Sequence, residues 1–248
     1  NQGGTLSSAG ALAVTSQGAL NNQGGRLASD AGLSLSSASL DNSQAGAISG
    51  KGAVEIRTGN LNNSRKASIG SDAGLTLVAA RVDNSQAGRI AAKGAIDADL
   101  QGLDQHDRGN LVSDTGITLD LNKGSLVNRA QGLIATPGTL LLRQLGVVDN
   151  SGGEISSDRA FTLATSALNN QGGTLSSAGA LAVTSQGALN NQGGRLASDA
   201  GLSLSSASLD NSQAGAISGK GAVEIRTGNL NNSRKASIGS DAGLTLVA

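Results

Sequence analysis

Apolar and polar residues along this chain follow a recurring phrase about 21 residues long, and Asn63 to Asn84 is one complete copy of it. A first aliphatic, Ile69, is followed six residues later by Leu75 and two after that by Leu77, and Val82 closes the phrase. Aligned on the first aliphatic, the copies fall at Leu6, Leu27, Ile48, Ile69, Ile90, Leu111, Ile134, Ile155, Leu175, Leu196, Ile217 and Ile238. The i, i+2 spacing of the second and third aliphatics puts both on one side of an extended strand, with a polar residue facing the other way; a helix needs partners at i+3 or i+4. The closing aliphatic comes 13 to 15 residues after the first, as at Leu20, Leu40, Leu61 and Val82.

Between the strands sit breakers. Gly10, Gly32, Gly52, Gly74, Gly94, Gly116 and Gly138 come just before the second aliphatic, where a tight corner asks for positive φ or a missing Cβ. Two residues past each closing aliphatic lies an amide: Asn22, Asn42, Asn63, Asn84, Gln105, Asn128, Asn150, Asn170, Asn191, Asn211 and Asn232, with Asn1 in the same register. Such side chains stacked at strand spacing can donate to the amide above and accept from the one below. Short strands, glycine corners and a fixed period predict an all-β fold, a single-stranded parallel β-helix of about 12 rungs of about 21 residues,. At ~4.8 Å per rung the rod is ~58 Å long. No rung could stand alone, so stability has to come from stacking.

Composition narrows the core. The chain has 37 Gly, one Pro, one Phe and no Trp, Tyr, Met or Cys, so the interior must be built from Leu, Ile, Val and Ala. With 18 basic and 18 acidic residues it lacks the electrostatic footprint of a nucleic-acid binder. Without cysteine there are no disulfides or thiolate metal sites, and no apolar run is long enough to be read as a membrane helix. Residues 1–79 recur unchanged as 170–248, an offset of 169 that equals eight rungs. Packing cannot demand identity at solvent-facing positions, so the copy reflects either a recent natural duplication or an artificial repetition of one higher-order unit. The expectation is one continuous array over 1–248, a segment of a longer rod.

The wording "LNNQGGRLASDAGLSLSSASL" from Leu20 to Leu40 and "LDNSQAGAISGKGAVEI" from Leu40 to Ile56 resembles the haemagglutinin repeats of filamentous haemagglutinin. Related two-partner secretion exoproteins carry the same repeats, including the stick-like toxins of contact-dependent growth inhibition. The resemblance covers essentially the whole chain. It implies a right-handed β-helix, export through an outer-membrane partner pore, and a secreted filament on the surface of a Gram-negative bacterium. The Arg-Gly-Asp triplet of some members is replaced by Arg108-Gly109-Asn110, so integrin recognition does not carry over.

Candidate chemistry is sparse. Gly46 to Gly52, "GAISGKG", resembles a phosphate-binding loop but lacks its spacing, its hydroxyl after the Lys and a following helix. His106, the single histidine, lies between Asp104 and Asp107 and reads as a solvated loop residue. Asp99 and Asp120 share an outward column in adjacent rungs, where Arg143 offers compensation. In the seventh rung, Val127 to Val148, Leu141, Leu145 and Val147 form a candidate partner patch. No catalytic, cofactor-binding or metal-ligating residue is assigned, and no cofactor or small-molecule substrate is expected. The leading reading is a rod segment of a surface filament that adheres to a host-cell receptor or glycan. The alternative is the stalk of a contact-dependent growth inhibition toxin, presented to a neighbouring bacterial cell. A polysaccharide-cleaving β-helix would need a groove bounded by long loops, and the turns here are short.

Overall fold

The computed structural model describes all 248 residues. It is all-β, without a helix, and its strands stack in parallel as a β-solenoid of about 12 turns. Each turn contributes three strands. The first, four residues long in every turn, builds a continuous 12-stranded parallel sheet from Thr5–Ser8 to Ser237–Ser240. The second strand carries the second and third aliphatics, and the third carries the closing one. In several turns these two run on without a break, as in Leu33–Asp41 and Leu75–Asp83.

Strand pairing sets like upon like. Leu6 pairs with Leu27, Leu27 with Ile48 and Ile48 with Ile69 in the first sheet; Leu35 pairs with Ile56 and Ile56 with Leu77 in the second. The inward side chains therefore form columns along the axis and merge into one hydrophobic core of 43 buried residues, aliphatic but for Phe161, running from Leu27 to Ile225. Continuity is what makes the fold workable: each turn buries its apolar stripe only because the turns on either side cover it. Leu6, Leu244 and Leu246 of the first and last turns are exposed accordingly.

The corners depart from expectation. None of the glycines before the second aliphatic has positive φ. Gly52 and Gly94 are needed for space instead, because a Cβ there would meet the backbone of Ala31 or Ala73, one turn back, at 2.9 and 2.7 Å. Left-handed backbone is concentrated at the corner that follows each ladder amide. Where four residues separate the amide from the first aliphatic, a single glycine turns the chain (Gly3, Gly24, Gly152, Gly172, Gly193). Where five do, two successive non-glycine residues take positive φ, as at Gln44–Ala45, Arg65–Lys66 and Gln86–Ala87. The strain of each left-handed residue is offset because the corners bond to one another: Ala45 N–H donates to Arg65 O (2.9 Å) and Lys66 N–H to Gln86 O (3.0 Å).

Candidate functional site

The most ordered polar feature is an amide ladder buried beside the aliphatic core. Asn22 Nδ2 donates to Asn42 Oδ1 (2.7 Å), Asn42 to Asn63 (2.8 Å) and Asn63 to Asn84 (2.8 Å). The second run goes from Gln105 to Asn128 (2.6 Å), then to Asn150, Asn170 and Asn191 (2.7 Å each), Asn211 (2.6 Å) and Asn232 (2.8 Å). The remaining amide hydrogen ties the first strand of the next turn, as Asn63 does through Arg89 O (3.1 Å). These side chains therefore hold the corner, and Asn84 through Asn211 leave no surface for a ligand because they are fully buried.

The ladder breaks once. Asn84 Nδ2 donates to Asn110 O (2.9 Å) rather than to Gln105, and Gln105 Oε1 is left buried without a partner. The extra methylene of Gln displaces its amide from the column that the asparagines share. Gln105→Asn is expected to close the gap and add roughly 1 kcal/mol of local stability, since an orphaned buried acceptor costs about 1–3 kcal/mol. Slower amide exchange at the 104–111 corner checks this; unchanged or faster exchange would reject it.

A second polar column went unread in the sequence. Ser29, Ser71, Ser113, Ser157, Ser177 and Ser198 are buried two residues after the first aliphatic. Ser29 Oγ accepts from Ala31 N–H (3.0 Å) and faces the carbonyls of Gly10 and Gly32. The signal was available as a serine at the same place in most copies, masked by Gly50, Ala92 and Gly219 in others.

The remaining candidates resolve into surface chemistry. The phosphate-loop look-alike is a strand, Ala47–Gly50, and a corner whose Lys51 pairs with Asp30 at 2.9 Å. His106 Nδ1 lies 2.6 Å from Asp104 Oδ1 and Nε2 3.6 Å from Asp107 Oδ2, and no group of three or more His, Cys, Asp or Glu side chains is placed to hold a metal ion. Asp99 and Asp120 are register partners. Their compensation differs from the expected one: Asn122 donates to Asp99 Oδ1 (2.6 Å) and Gln144 to Asp120 Oδ2 (3.1 Å), and Arg143 makes no ion pair. Because each carboxylate already has an amide donor, Asp120→Asn should leave the melting temperature unchanged to within a few degrees, with or without calcium. A large calcium-dependent shift in the original protein that the variant loses would contradict this.

Burial acts to raise the Asp210 carboxyl, but hydrogen bonds from Ser212, Gln192 and Asn231 outweigh it and hold the group below its ordinary value. A lowered folded pKa stabilises the structure above the unfolded value of about 3.9 and is lost as pH falls through the lower folded value. The Ser212 amide, which donates to Asp210 Oδ1 at 3.0 Å, should lose protection over that acid range. In Asp210→Asn it should not, and an identical pH profile in both proteins would count against the carboxylate.

The apolar patch of the seventh turn is smaller than expected. Leu141 and Val147 are 41% and 52% exposed, but Leu145 is only 7% exposed and belongs to the core. Left-handed Gln144 (φ 47°) bulges the chain and swings the next side chain inward. The outer face of the first sheet presents small residues (Ala28, Ser49, Gly70, Ala91) along a shallow trough of about 480 Å³, edged by Arg26, Arg89 and the Lys51–Asp30 and Lys93–Asp72 pairs.

Residues 187–248 match the haemagglutinin repeat family model, and residues 18–79 have the same sequence. No curated protein and no solved structure matches the chain.

Proposed function

Because this chain is a filamentous haemagglutinin-type repeat region, we propose that it is a rod segment of a secreted bacterial surface filament, exported through an outer-membrane partner pore, whose long faces adhere to host-cell receptors or glycans. The observation that carries this reading is the match to the haemagglutinin repeat over a solenoid whose turns repeat the same outward face along the axis. Two properties of that face support it. The first sheet is lined with small and hydroxyl-bearing side chains, and at the corner beside it Lys51 pairs with Asp30, Lys93 with Asp72 and Lys220 with Asp199 across neighbouring turns. A surface of this kind holds partners weakly at each turn and gains strength by repetition.

The experiment compares this chain with one lengthened by a second 169-residue unit, on glycan arrays and cultured host cells. Adhesion predicts that the longer rod binds at least about tenfold more tightly, since avidity grows when contacts are linked. Equal, negligible binding by both rods would overturn adhesion. It would favour the second reading, a stalk that holds a toxin at a distance from the cell.

A further inference from the structure

We propose that the rod contains a compliant joint between its seventh and eighth turns, where one of its three faces is unzipped. The first strands of these turns pair in register, Leu133 with Glu154 through Thr136 with Ser157, and so do the third, Val147 with Ala167 through Asp149 with Asn169. The second strands, Thr139–Arg143 and Phe161–Thr165, form no pairing, although each pairs with its neighbour on the far side. Solvent access reports the same seam. Leu142 is only partly buried, while Leu119 and Leu163, in the turns before and after, are fully buried. The other aliphatics that pack on the core while only partly buried, such as Leu12, Val14 and Ile238, lie near the ends of the rod.

A change in cross-section explains the seam. At the inner corner that ends the second strand, the first turns place hydroxyls, with Ser37 and Thr58 bonded at 3.0 Å. The core then fattens through Ala79, Leu100, Leu121 and Leu145, and the sixth and seventh turns lengthen to 23 and 22 residues to enclose it. Entry into the fat section is graded by Ala79, and pairing there is kept from Leu75 with Ile96 through Ala79 with Leu100. Exit is abrupt. Leu145 is followed one turn later by Thr165, whose hydroxyl turns to the Gly146 carbonyl, and Phe161, the one aromatic residue of the chain, stands where Leu140 stood. A strand with a bulkier start and a thinner end cannot lie flush on the one before it. Two faces stay bonded while the third can open and close, and that is a hinge with its axis across the rod. The regular turns of 1–79 and 170–248 flank it as stiff arms.

Two measurements test the joint. In the unmodified protein, amides of 139–143 and 161–165 should exchange at least about tenfold faster than those of 133–136 and 154–157 in the same two turns, because local opening sets the rate. The chain has no cysteine, so spin labels can be placed at will on the outward column of the second face. Ser34→Cys with Thr118→Cys spans four turns without the seam, and Thr118→Cys with Ser203→Cys spans four turns across it. The distance distribution across the seam should be about twofold broader, as expected of collective bending at one joint. Equal protection of the two sets of amides, or equal widths for the two pairs, would overturn the proposal.

Discussion

Leu119→Ala should be among the most damaging single substitutions in this protein, costing about 2–5 kcal/mol of stability by denaturant titration. Leu119 is fully buried in the second face at the centre of the rod. Its register partners are Ala98 on one side and Leu142 on the other. Ala98 has no bulk to spare and Leu142 is held at the edge of the seam, so the void left by three lost carbons has little to collapse into it. Leu246→Ala offers the contrast: Leu246 occupies the same aliphatic position in the last turn but is 44% exposed, and its truncation should change stability by no more than about 0.5 kcal/mol. Equal losses for the two variants would mean that position along the rod does not control burial, against the stacked-column account.

Asn63→Leu should destabilise by roughly 2–4 kcal/mol, although Leu has the same branching at Cγ as Asn and is more apolar. Asn63 accepts from Asn42 (2.8 Å) and donates to Asn84 Oδ1 (2.8 Å) and Arg89 O (3.1 Å). Losing the amide strands two acceptors and removes an acceptor from Asn42, all within a buried corner that water cannot enter. The hydrophobic gain of Leu does not cover this, because an unsatisfied buried polar group forfeits its hydration with nothing in return. Asn60→Ala, at an exposed position three residues earlier in the chain, is the control and should be near neutral. If urea midpoints show Asn63→Leu as mild as the control, the ladder contributes order without stability.

Much of this architecture could be read from spacing alone. The aliphatic columns follow from the i, i+2 pairs and their constant period, and strand pairing places Leu6 on Leu27 and Leu61 on Val82 as alignment of the copies requires. Other features depend on geometry between turns. The glycines ahead of the second aliphatic look like positive-φ residues, but what Gly52 and Gly94 supply is room for the neighbouring turn's backbone. Left-handed pairs such as Arg65–Lys66 are invisible in sequence because neither residue favours that conformation; the inter-turn hydrogen bonds impose it. Leu145 was misplaced for a related reason. The run Leu140, Leu141, Leu142 offers two equivalent alternations, and the bulge at Gln144 shifts the phase before Leu145. The break at Gln105 was visible as a change of residue type, yet its consequence rests on a single methylene within a column of hydrogen bonds. Identity of 1–79 with 170–248 likewise hid a contrast that the structure displays: the long turns, the broken ladder and the unpaired seam all lie in the segment between the two copies.

Turns of this solenoid add along an axis without changing the cross-section at either end, and a length measurement tests this most directly. Electron microscopy of this chain and of a version extended by one 169-residue unit should show rods of equal width, the longer exceeding the shorter by ~38 Å, eight steps of ~4.8 Å. Particles that grow in width, or that gain little length, would contradict the stacked solenoid.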